Sequence, residues 1–292
     1  MLNKMCTTLL LLMILITSST SAFAQETSIQ EDSAKNRKIF EEIVYGGDLI
    51  GNNLDENFIT PQALEFLQNE IDIDQIDTLQ SDDEFFMYLL EMTKKSLELE
   101  GKSFSLSDAE IDSLNEKITK NKLMSRSSIF DITADAFKNL TFSEQRRLIM
   151  TAATVASNAG LPIAGGLLFH SCQNHPSDQT FGNGSLALEK IRKSPEYKEQ
   201  FNAYLKSTEP RYGYHIIFES DLDLHLGFHK MNGYFIRKSR IAQMEDKYNY
   251  EWSNKYAGGT IGKFITFMNN VASICEDLGV INSYECRVLF RY

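Results

Sequence analysis

From Leu148 to Ser177 the chain contains no Asp, Glu, Lys or Arg. An uncharged stretch of this length does not belong on a water-facing surface, so it has to be buried, in a protein core or in a bilayer. It falls into two apolar pieces, LIMTAATVASNAG and LPIAGGLLFHSC, which meet at Pro162. As core, they predict a helical hairpin whose Ala and Gly residues let the two helices approach closely. As a membrane device, they predict the inserting hairpin of a pore-forming toxin, with Leu148, Val155, Ile163 and Leu168 toward lipid. A helix needs about 20 apolar residues to cross a bilayer, and each half falls short. Thr151, Thr154, Ser157 and Asn158 interrupt the apolarity further. A core hairpin is therefore expected, with membrane contact the lesser reading.

The first residues predict export. Lys4, an apolar run through Leu9, Leu12 and Ile16, and Ala22-Phe23-Ala24 have the layout of a signal peptide spanning 1–24. Cys6 precedes the apolar run, so it is not placed as a lipidated cysteine. A periplasmic or extracellular protein is the expectation.

Residues 25–142 read as an acidic helical region. Thr60-Pro61 starts one helix, Asp82–Leu99 forms another, and Ser107 with Glu110 makes a capping box for a third. From Gln25 to Leu140 there are 25 Asp/Glu against 11 Lys/Arg, a net −14; from Thr141 onward 15 against 17, a net +2. An acidic front half argues against a nucleic-acid partner, which would need basic surface.

Residues 143–292 read as an α+β domain: the hairpin, further helices, a β-meander, a helix and a last strand. Tyr212–Phe218 reads as a strand. Asp221–His229 alternates strictly, with Leu222, Leu224, Leu226 and Phe228 on one parity and Asp221, Asp223, His225 and His229 on the other. That period predicts a half-buried strand carrying its polar groups on one face. Asn232-Gly233 predicts a hairpin turn into a strand over 234–241, followed by a strand at 246–252. A helix is expected over 261–278, and a final strand at 284–292.

On that strand face Asp223 and His225, with His215 from the neighbouring strand or His229, make a candidate zinc or iron set. The same residues on a solvated sheet face need no ligand. There is no HExxH, CxxC, phosphate loop or Gly-x-Ser-x-Gly motif. His170 is expected to be a buried, hydrogen-bonded core residue. Cys172, Cys275 and Cys286 remain after the signal; in an exported protein one disulfide and one thiol are expected, with Cys275–Cys286 the local choice and Cys172 an alternative partner.

The segments LLFH at 167–170, DLHLGF at 223–228, DKYNYEW at 246–252 and the tail from Lys263 to Val288 resemble a C-terminal domain of bacterial secreted and toxin-like proteins. The resemblance covers 146–292 and carries no catalytic residue. It implies an exported bacterial protein with an interaction or toxin-like tail. The function expected is a non-enzymatic binding or toxin-like protein acting on the cell envelope or another protein; the alternative is a metal-dependent hydrolase.

Overall fold

The computed structural model describes residues 32–45, 59–79, 81–123, 135–250 and 259–292. The expected signal peptide lies outside them, as do Glu251 and Trp252 of the expected 246–252 strand.

The N-terminal part is helical, as expected, and its helices begin where side chains can cap them. Helix α1 covers 32–44. Helix α2, Pro61–Glu70, starts at Thr60, whose Oγ1 accepts from the Ala63 N–H at 3.2 Å. Helix α3, Ile73–Thr78, is capped by Asp72, and α4, Asp82–Leu99, by a reciprocal box between Ser81 and Glu84. Ser107 and Glu110 form the predicted box at α5, Asp108–Leu123. A short α6 covers 135–139. Thr141 and Glu144 then open α7, Phe142–Asn158. In each box two backbone donors left over at a helix start find an acceptor.

The uncharged stretch is the core. Helix α7 packs against α8, Pro162–Ser171, and all ten residues of α8 are buried. Leu148, Val155 and Ile163 have no exposure, and Leu168 very little. Two hydroxyls that break the apolar run are satisfied within the helix: Thr151 Oγ1 donates to the Arg147 carbonyl at 2.9 Å, and Thr154 Oγ1 to that of Met150 at 3.0 Å. Close approach is built in at Gly165, where a Cβ would stand 2.4 Å from the Ala153 carbonyl oxygen. Among the described residues no helix is long and apolar enough to cross a membrane. The larger apolar cluster draws on both sides of residue 143, from Phe40 and Phe85 to Phe169, Phe264 and Ile281. Arg147, 2% exposed, is held inside it by an ion pair with Glu100, Nη2 donating to both carboxylate oxygens at 2.9 and 3.0 Å. A charge-assisted, hydrogen-bonded carboxylate partner lets a guanidinium be buried.

The C-terminal part adds a mixed sheet and completes an α+β fold. Strand β1, Gln179–Phe181, precedes helices α9, Leu186–Lys193, and α10, Pro195–Lys206. Strand β2, Arg211–Ile217, follows, then helix α11, Leu222–Phe228, and strands β3, Lys230–Ile236, and β4, Ile241–Tyr248. Helix α12, Gly259–Asp277, leads to β5, Tyr284–Arg291. The sheet order is β1-β5-β4-β3-β2, antiparallel except for β1 with β5. The helices cover one face: Tyr204 of α10 stacks on Phe235, and the Tyr284 hydroxyl of β5 donates to the Leu167 carbonyl of α8 at 2.8 Å. The other face carries exposed side chains such as Arg211, His215, Glu245 and Arg287.

Several expectations are overturned, among them the 234–241 strand, which is split by a turn at 237–240 between β3 and β4. The alternating 221–229 segment is a helix, not a strand: Asp221 caps it, accepting from the Leu224 N–H at 3.1 Å, and Asp223, Leu224, Gly227 and Phe228 form its buried side. Alternating leucines fit both periods; the pairing of Leu224 with Gly227 and Phe228 at helical spacing wins because Gly227 seats against Ile163. Asn232-Gly233 is not a turn. Both lie inside β3, and the chain reverses over 237–240, where Arg240 takes a left-handed φ of 53°. Gly233 is needed for proximity instead, since a Cβ there would meet the Gln243 carbonyl at 2.3 Å and the Tyr214 ring at 2.9 Å. A further correction is β1, a strand between the hairpin and the further helices, where the expected order has none. Finally, no disulfide joins any two of Cys172, Cys275 and Cys286, which are all buried free thiols. They sit on α8's end, α12 and β5, and burial pushes all three thiols up, Cys275 to about 12.

Candidate functional site

The change from strand to helix at 221–229 rearranges the predicted polar cluster. Two residues along a helix turn the side chain to the opposite side, while four bring it back. Asp223 therefore points into the protein, away from His225. Its Oδ1 accepts the Ala164 N–H at 2.8 Å, and its Oδ2 pairs with Lys190 of α9 at 2.7 Å. His225 and His229 share one side, with ring centroids 4.7 Å apart. His225 Nδ1 donates to the Phe218 carbonyl at 2.7 Å, which orients the ring. His215 sits elsewhere, on the exposed face of β2, bonded to Asn232 Oδ1 at 2.8 Å. His175 is exposed in a loop. His170 is fully buried as expected, bonded to the Ser177 carbonyl at 2.8 Å. The proposed carboxylate-plus-imidazole set is thus not assembled, and among the described residues no three His, Cys, Asp or Glu side chains could share a metal ion.

What α11 does build, with β4 and α12, is a pocket of about 210 Å³. His225, His229 and Lys230 line one wall, Asp246, Lys247 and Asn249 another, and Asn269 comes from α12. Imidazole, ammonium and amide N–H groups dominate, with Asp246 the acidic member. A second, apolar recess of about 50 Å³ adjoins it, sharing Leu226, Tyr248, Tyr250 and Asn269. Its walls include Leu161, Leu168, Phe264, Ile265 and Met268. The joint cleft has a polar mouth and an apolar floor.

The surrounding bonds fix this shape. The Tyr250 N–H donates to Glu276 Oε2 of α12 at 2.9 Å, tying the end of β4 to that helix. The Tyr248 hydroxyl reaches the Ala164 carbonyl at 3.4 Å, and Tyr250 shares a 3.3 Å bond with Ser171 Oγ. Burial raises both phenols, which stay neutral and remain hydrogen-bond donors. Asp223 and Lys190 fasten α11 to α8 and α9. Burial pushes the Asp223 carboxyl up to about 6, and Lys190 and the Ala164 N–H act against that rise.

Several site residues gave no signal in the sequence. Asn269, Glu276 and Lys190 arrive from other helices, with no spacing to link them to 225–229. The i, i+4 pair His225 and His229 was visible in HLGFH, but a strand assignment separates their rings. Comparison with family models, curated proteins and solved structures returns no match.

Proposed function

We propose that this chain is an exported, non-enzymatic binding protein that acts on another protein, holding its partner's C-terminal residue in the cleft between α11, β4 and α12. The observation carrying this reading is the adjoining pair of spaces: a mouth of imidazole, ammonium and amide groups that outnumber its one carboxylate, Asp246, beside an apolar floor. Cationic and amide donors suit a carboxylate, and the floor suits the side chain attached to it. Size points the same way. Typical ligand pockets run upward from about 300 Å³, so this cleft matches a single residue better than a large organic substrate. Export rests on the signal-peptide pattern of residues 1–24 and agrees with the resemblance of 146–292 to secreted proteins. A toxin-like action by membrane insertion would have to extract α8, all of whose residues are buried, so binding is the better-supported reading.

Selection from peptides displayed with a free C-terminus tests it. Enrichment of a terminal Leu, Ile, Phe or Met is expected, with binding lost on amidation of the terminus. It should also fall at least tenfold in a His229→Ala/Asn269→Ala variant, the scale of one or two lost charge-assisted hydrogen bonds. Selected peptides that bind equally well when amidated would overturn it.

A further inference from the structure

Among the described residues strand β2 lies at the edge of the sheet, and its ladder shows which backbone groups face outward. The Arg237 N–H donates to the Pro210 carbonyl, and the Phe218 N–H to the His229 carbonyl, each at 3.0 Å. Hydrogen-bonded pairs alternate along an antiparallel ladder. Tyr212, Tyr214 and Ile216 therefore bond toward β3, and Arg211, Gly213, His215 and Ile217 turn their N–H and C=O groups to the open edge. The register with β3 is unbroken from Arg211 to Ile217. The strand has no proline, bulge or lysine, the usual protections of an edge.

Charge is divided between the ends of this edge. Arg211 stands at its start and Glu219 at its finish, where Glu196 Oε1 accepts the Glu219 N–H at 3.0 Å. Glu209 and Lys230 are the opposite-sign neighbours at the two ends. Two such edges related by a twofold axis bring the Arg end of one against the Glu end of the other.

We infer that β2 pairs antiparallel with β2 of a second copy of this chain, joining two sheets into one. A twofold axis at His215 sets Gly213 opposite Ile217 and Arg211 opposite Glu219. Shifting the axis to Tyr214 would oppose Glu209 with Glu219 instead. Every facing residue keeps its side-chain parity, so the buried Tyr214 and Ile216 stay on the helix-covered face. The axis and the cleft at α11 are separate features, and either inference can fail without the other.

Sedimentation equilibrium of the mature chain tests this. A dimer is expected, loosening as salt rises. The N–H of Gly213 faces outward and a Cβ there meets nothing within 4 Å, so Gly213→Pro should give a monomer with an unchanged circular dichroism spectrum. Arg211→Glu should raise the dissociation constant at least about tenfold through like-charge opposition, and Arg211→Glu/Glu219→Arg should restore it. A monomer at every concentration, or a dimer indifferent to both Gly213→Pro and the charge reversal, overturns the inference.

Discussion

Replacing Gly165 by alanine is expected to lower stability by about 3 kcal/mol, the upper end of the range for overpacking a core. The added methyl would stand 2.4 Å from the Ala153 carbonyl oxygen and 3.0 Å from the Ser157 N. Both are backbone atoms of α7, so neither can rotate away. The two helices must separate, loosening the contacts of a hairpin buried along its whole second arm. Gly166→Ala is the informative comparison. Its methyl would meet the Ile43 side chain at 2.8 Å, and a side chain can change rotamer. The urea midpoint should therefore drop further for Gly165→Ala than for Gly166→Ala. Equal midpoints would mean that the α7–α8 contact is not the tight one described.

Lys190→Ala is expected to cost a similar amount at pH 7, about 3 kcal/mol, because it leaves the Asp223 carboxylate buried without its cation. Asp223 is 1% exposed, and Lys190 also reaches Asp221 at 3.1 Å. The pH dependence gives the diagnostic. The Asp223 carboxyl rises from 3.8 to about 6 on folding, so between those values the native state holds more protons than the unfolded chain. Its contribution to stability is fully present below pH 3.8 and is lost as pH rises through about 6. Without Lys190 the loss should steepen and extend to higher pH. Adding Asp223→Asn to Lys190→Ala should recover part of the stability at pH 7 and flatten the curve. Urea denaturation at pH 4 and pH 7 measures both effects. Parallel pH curves for wild type and Lys190→Ala would remove Asp223 from this role.

The α+β class and most helices were legible because they rest on local chemistry. Thr60-Pro61, Ser107 with Glu110 and the uncharged run from Leu148 each act within a few residues of themselves. The Asp221–His229 segment misleads for a physical reason: its leucines satisfy a period of two and a period near four together. Only tertiary contacts, Gly227 on Ile163 and Asp223 on Lys190, decide between them. Asn232-Gly233 likewise has turn chemistry, yet Gly233 is required where the Tyr214 ring lies close over β3. Two residues of the candidate cleft, His225 and His229, stood out in the sequence, as ligand candidates on an expected strand. The rest comes from Tyr250, Asn269 and the apolar residues of α12, which no short-range pattern could join to them.

Amide chemical shifts show whether the cleft at α11 takes an apolar residue through its carboxylate. The mature protein would be titrated with N-acetyl-leucine and, separately, with N-acetyl-leucinamide. A ligand of about a dozen heavy atoms at roughly 0.3 kcal/mol per atom binds in about the millimolar range, which shift mapping detects. The account predicts saturating shifts clustered at Leu226, Tyr250, Ile265 and Asn269 with the acid, and much weaker ones with the amide. Shifts scattered over the surface, or the same with both compounds, would contradict it.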